Sequence, residues 1–200
     1  GVMVSSPSVP QRAFVEIYDT VAAAPLPGAL IFSWWADIPA TAITADHIFS
    51  YGNASIDSNG YSFGVAYTAG SSKLSGYWDS GAGPQSHVGA PLSAGEHHLC
   101  VLMDVVGNTV YFFIDGLPDN SWSLKTPTGA VAVNRIGFLM LMNGASGANE
   151  FGEGDTGDLG ISDLKVIRIE SDKTSQFPDI IKGLSDPAYK NKISPLLDGV

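Results

Sequence analysis

The sequence predicts an all-β fold, a two-sheet antiparallel jelly-roll sandwich with an extended N-terminal arm and a short, partly helical C-terminal tail. Three observations carry that prediction. The stretch HHLCVLMDVVGNTVYFFIDG, residues 97–116, has two apolar arms around Gly107-Asn108, followed by Asp115-Gly116. Both dipeptides suit tight turns between antiparallel strands. Short apolar runs recur along the chain between turn-forming residues, the spacing of a sandwich. The 23 glycines and 12 prolines fit many strands joined by turns.

Residues 1–13 read as an extended arm, with Ser, Pro and Val and no periodicity. Residues 14–18 suit a first strand, and Pro25 and Pro27 mark the loop after it. The run ALIFSWWADI, residues 29–38, is a strong strand. Alternation puts Leu30, Phe32, Trp34 and Ala36 on one face, expected to be the core. Ile31, Ser33, Trp35 and Asp37 take the other face. Residues 47–51 suit a short strand ended by Gly52-Asn53. Residues 61–67 and 73–78 form an expected hairpin around Gly70, Ser71 and Ser72. Residues 80–90 read as a loop, because Gly81, Gly83, Pro84 and Gly89 punctuate them.

Beyond the 97–116 hairpin, residues 121–124 suit a short strand and 134–142 an apolar strand covered on both sides. Residues 143–157 are a glycine-laden acidic loop. Residues 161–169 form the last strand. The sandwich domain is therefore expected at residues 14–170. The tail, 171–200, has Pro178, Pro187 and Pro195 between short helical patterns, and reads as packing on the sandwich or on a neighbour.

Composition narrows the function classes. A formal net charge of -10 disfavours nucleic acid, whose phosphates need Lys and Arg. No apolar run reaches the roughly 20 residues that a membrane helix needs, so no membrane insertion is expected. Cys100 is the single cysteine, which excludes an intrachain disulfide and suits a small core residue. Residues 1–10 lack a basic region followed by an apolar one, so synthesis in the cytoplasm is expected. A leader removed before Gly1, and an extracellular location, is the alternative.

Glu96-His97-His98-Leu99-Cys100-Val101, with the strand from Thr109 to Gly116, resembles the central hairpin of laminin-G-like and concanavalin A-like domains. Leu30 to Trp34 is similar to their strand with a buried tryptophan, and HIFSYGN, 47–53, to the strand after it. Residues 160–166, GISDLKV, are similar to their closing strand. The resemblance implies a lectin-like jelly roll. One departure is that Gly95-Glu96 stands where the family has Trp before the paired histidines. Another is that the family's glycanases project paired carboxylates from one strand, and no such strand occurs here. A glycoside hydrolase or lyase therefore ranks last, and the chain is read as no enzyme.

Three groups of residues are candidates for a site. Trp35, Tyr77, Trp78 and Asp79 suit a glycan, since sugars stack on aromatic rings and a carboxylate takes hydroxyl hydrogen bonds. Their alternative is packing under loops or against another subunit. Glu150, Glu153 and Asp155, with Asp158 nearby, offer hard oxygen ligands for Ca²⁺. Their alternative is a solvated acidic loop. His47, His87, His97 and His98 lack the same-face spacing of a zinc site. The expectation is a non-catalytic glycan-binding module. Only 15% of residues are charged, and with the arm and the tail this suits display on a virion or phage particle, as a fibre or decoration protein. A purely structural subunit without ligand is the alternative, with the arm and tail contacting other subunits.

Overall fold

The computed structural model describes residues 2–6, 14–19, 28–38, 46–53, 63–68, 73–79, 84–104, 106–107, 109–123, 133–137, 157–169 and 175–191. Side-chain packing is described for 28–38, 89, 92–104, 106–107, 109–121, 160–169 and 175–191. The strands are β1 (Val2–Ser6), β2 (Phe14–Asp19), β3 (Ala29–Ile38), β4 (Asp46–Asn53), β5 (Phe63–Thr68) and β6 (Lys73–Asp79). They continue as β7 (Pro84–Pro91), β8 (Gly95–Asp104), β9 (Thr109–Ile114), β10 (Leu117–Ser123), β11 (Val133–Gly137) and β12 (Gly157–Ile169). Helix α1 (Phe177–Leu184) and a 3₁₀ turn (Pro187–Tyr189) follow.

The strands form two six-stranded antiparallel sheets. The first, sheet A, has the order β1-β12-β3-β8-β9-β10, and the second, sheet B, β2-β11-β4-β5-β6-β7. The all-β sandwich read from the sequence is the fold.

Strand β3 occupies the middle of sheet A because its residues are apolar on both faces. Every side chain from Ala29 to Ile38 except Asp37 is buried. It pairs with β8 along its whole length, from Ala29 opposite Asp104 to Ile38 opposite Gly95. On the face toward sheet B, Leu30, Phe32, Trp34 and Ala36 join Leu99, Val101, Met103, Val110 and Phe112 in the core. That is the core set the alternation predicts. The opposite face is apolar as well. Ala29, Ile31, Cys100, Leu102, Ile167 and Ile169 form a second buried cluster. An antiparallel sheet with two apolar faces needs a cover on each.

Helix α1 supplies that cover. Its apolar residues Phe177, Ile180, Ile181 and Leu184 recur at helical spacing and complete the second cluster. Pro178 sits at its start, where a missing N–H costs nothing. The tail segment 175–191 therefore packs on its own sandwich, so it is not an arm free for a neighbour. Val2–Ser6 is extended as the sequence suggests, and it is the edge strand of sheet A, paired with β12 from Val2 opposite Ile161 to Ser6 opposite Gly157.

Two turn assignments change. Residues 84–91, read as a loop, are β7, the edge strand of sheet B. Pro84 and Pro91 are its end residues, and an edge tolerates proline because one side of the strand needs no donor. At the central hairpin the last pair is Asp104 with Thr109, so the ladder does not close directly on Gly107-Asn108. Gly107 does not adopt positive φ there. Its N–H donates to the Asp104 carboxylate at 2.9 Å, and a Cβ at this position would come within 2.3 Å of that carboxylate, which would have to shift. The tight two-residue turn is Asp115-Gly116, with φ of 51° and 78°, the signature of a type I′ turn.

Truncating Leu184 to Ala is expected to cost about 2–4 kcal/mol, the range for emptying a buried leucine site. Urea unfolding monitored by tryptophan fluorescence measures it. A loss under about 0.5 kcal/mol would mean that α1 does not seal sheet A.

Candidate functional site

The polar side chains of sheet A gather where β8 begins and the β9–β10 turn folds back. Asp115 is the hub. Its positive φ brings the carboxylate over β8, where one oxygen accepts the His98 backbone N–H at 2.8 Å. The other accepts His97 Nδ1–H at 2.8 Å. The Asp115 N–H in turn donates to the His98 carbonyl at 2.8 Å. An aspartate at this turn position thus secures the start of a strand 17 residues earlier.

His97 Nε2 lies 3.1 Å from Ser93 Oγ and 3.1 Å from the Ser93 carbonyl oxygen. Ser93, His97 and Asp115 are therefore in the order of a hydroxyl, a base and an orienting carboxylate. The sequence shows no such motif, because the three come from a loop, a strand and a turn. The chemistry of a nucleophile needs Nε2 free to take the hydroxyl proton. Here the Ser93 carbonyl, which only accepts, competes for that nitrogen at equal distance. The group reads as a brace across the turn.

One residue on, the chain turns inward. His98 is fully buried, and its Nε2 is 2.8 Å from Ser33 Oγ, across the β3–β8 pair. Its Nδ1 has no hydrogen-bond partner. Burial pushes the His98 imidazole down to about 4, opposed in part by the Asp115 carboxylate. The ring packs edge-on against Trp35, 5.3 Å between centroids. Cys100, on the same face, is buried, and burial pushes its thiol well above the usual range. It is a core residue and no nucleophile.

Trp35 is the one predicted ligand residue whose side chain is described. It lies on the face opposite the β3 core set, as the alternation requires, but it is only 7% exposed. Lys190, just past the 3₁₀ turn, holds its ammonium 5.1 Å from the ring centroid and pairs with Glu96. Asp186 caps that turn, accepting the Ala188 N–H at 2.9 Å. Trp35 therefore packs under a covering segment, and the expectation that it stacks on a sugar is corrected. The sequence contains the lysine and the aromatic ring, but their 155-residue separation hides the contact.

Tyr77, Trp78 and Asp79 are the last three residues of β6 in sheet B. Their backbones pair with Ser86, Gln85 and Pro84 of β7. Glu150, Glu153 and Asp155 lie outside the described residues, and Asp158 pairs with Ser5 in the β1–β12 ladder. Among the described residues no three His, Cys, Asp or Glu side chains come together to hold a metal. No described helix is long and apolar enough to cross a membrane.

No protein-family model matches the chain, and no curated protein does. Solved structures share its fold. The native heptameric SAP-like pentraxin of Limulus polyphemus matches 96% of this chain and 84% of its own, with 14% identity and a TM-score of 0.61. The binding domain of Paraclostridial Mosquitocidal Protein 1 matches 94% of this chain at 8% identity and a TM-score of 0.59. The binding domain of botulinum neurotoxin serotype D matches 88% at 9% identity and a TM-score of 0.55. This chain spans 43% and 41% of those two toxin chains. These likenesses establish the jelly-roll sandwich.

Two predictions follow from the geometry. Asp115→Asn keeps an acceptor for the His98 N–H and tolerates positive φ, so it is expected to cost less than about 1 kcal/mol. Asp115→Ala loses both and is expected to cost about 2–3 kcal/mol. Equal losses in urea titrations would remove Asp115 from its role as hub. The second concerns pH. His98 is depressed from 6.5 to about 4 in the fold, so between those values the unfolded chain binds a proton that the native chain refuses. Stability is therefore full above pH 6.5 and is lost as pH falls toward 4, by on the order of 3 kcal/mol. Melting temperature against pH for wild type and His98→Gln measures it, and parallel curves would refute the assignment.

Proposed function

We propose that this chain is a lectin-like, non-catalytic binding module, and that its ligand is a glycan. The observation that carries the reading is the division of labour between the sheets. The outer face of sheet A is taken up by α1 and by the strap that ends at Lys190. Sheet B and its loops are the proposed ligand side, with Tyr77, Trp78 and Asp79 at the end of β6 beside the edge strand β7. Alternation along β6 puts Tyr77 and Asp79 on one face and Trp78 on the other, and an aromatic ring beside a carboxylate is the chemistry that takes a sugar, the ring stacking and the carboxylate accepting hydroxyls. The shared fold with two toxin domains named for binding supports the same class. Fold likeness alone does not fix a ligand, so the reading stands on these residues.

Calcium, held by Glu150, Glu153 and Asp155, belongs to this proposal as an aid to sugar binding. Display on a larger particle, such as a virion, rests on the low charge content. Size-exclusion chromatography with light scattering tests it, and a strict monomer speaks against it.

A glycan array with wild type, Tyr77→Ala and Trp78→Ala tests the main reading. Wild type is expected to bind at least one neutral glycan, and Tyr77→Ala, which removes the ring on the face of Asp79, to weaken it about tenfold, the effect of losing a central aromatic contact. The absence of any glycan hit for wild type overturns the proposal. Saturating calcium is expected to raise the melting temperature, and Glu153→Ala with Asp155→Ala to abolish the rise. No rise in wild type retires the calcium part alone.

A further inference from the structure

Helix α1 covers the middle of sheet A but not its β9–β10 margin. There a cavity of about 370 Å³ opens between the sheet and the helix. Strand alternation builds its floor. Leu102 of β8 and Tyr111 and Phe113 of β9 point to the outer face, since Leu102 pairs with Tyr111 and Cys100 with Phe113. Pro118, opposite Phe113, extends the floor onto β10. Phe177, Pro178 and Ile181 of α1 make the wall. Tyr111 and Phe113 are only partly buried, so their rings face the space.

The volume falls in the range of small-molecule sites, which run from about 300 to 1,000 Å³. The lining is apolar and aromatic, and this decides against a sugar, which would need several hydrogen-bonding groups around its rim. One carboxylate interrupts it. Asp104, at the end of β8, lines the cavity and spends one oxygen on the Gly107 N–H. A carboxylate accepts at both oxygens, so acceptor capacity remains. Among the described residues no lysine, arginine or histidine lines the cavity to neutralise it. The faces of aromatic rings attract cations and repel anions.

We propose that this cavity is a second binding site, for a small hydrophobic ammonium compound. Its apolar body lies among Tyr111, Phe113 and Phe177, and its ammonium group donates to Asp104. The site is on the covered face of sheet A and is independent of the glycan reading, which concerns sheet B.

Nuclear magnetic resonance titrations of the whole chain at low salt test it with three probes of one shape. Phenethylammonium, 2-phenylethanol and phenylacetate share a phenyl ring on a two-carbon chain and carry a cationic, a neutral and an anionic head group. The ammonium is expected to bind saturably and about tenfold more tightly than the carboxylate, as a charge-assisted hydrogen bond requires. Asp104→Asn keeps an acceptor for Gly107 and is expected to shrink that preference to within about threefold. Pro178→Trp, an exposed position at the wall, is expected to weaken all three probes by filling the space. No saturable shift with phenethylammonium overturns the proposal. So does phenylacetate binding as tightly, or a preference untouched by Asp104→Asn, or affinities untouched by Pro178→Trp.

Discussion

The burial of β3 and β8 on both faces is the constraint from which the rest of the structure follows. Nine of the ten β3 side chains are buried, and six in a row from His98 to Met103 in β8. Sheet B covers one face of such a pair, and something else has to cover the other. Helix α1 does so with four apolar residues, and their contact is hydrophobic, non-directional and large in area. The C-terminal segment is thereby part of the domain. Beyond α1 the chain reaches Trp35 of β3 and Glu96 of β8 through Lys190.

The same constraint accounts for the polar residues of sheet A. Ser33 and His98 are buried under that cover, and each answers the other at 2.8 Å. A histidine there has to stay neutral, because the surroundings cannot solvate its charge. His97, one residue earlier, points the other way from its neighbour and reaches the rim, where Asp115 and Ser93 hold it. Two adjacent histidines thus have opposite fates, set by the strand's period of two. Neither gives a metal site.

A sealed face also bears on the two binding proposals. A fold of two sheets presents two outer surfaces, and this chain has closed most of one. What α1 leaves open at the margin is apolar and small, suited to a compact apolar body with one charged group. The glycan proposal rests on sheet B, where Tyr77, Trp78 and Asp79 end β6. The two proposals are therefore about different chemistry on different sides of one sandwich.

Much of the fold was legible in local pattern. The bounds of β3, its core face, the β5–β6 and β8–β9 hairpins, and a helix near residue 180 all follow from periodicity and turn residues. Edge strands were less legible. β7 carries glycine and prolines that read as a loop, and only its pairing with β6 makes it a strand. At the central hairpin the last pair is Asp104 with Thr109, the Asp104 carboxylate accepts the Gly107 N–H, and the tight turn is Asp115-Gly116 instead. The candidate site was legible in part. Tyr77 to Asp79 end a strand of sheet B, while Trp35 was read as outward and is covered. By itself, then, the sequence determined which segments are extended and which of their faces are apolar, because side-chain period is a local property. Only the tertiary structure decided what lies against each face. The cover of Trp35, the neutral burial of His98 and the clamp of Asp115 on β8 join residues distant in the chain, and no local pattern records those distances.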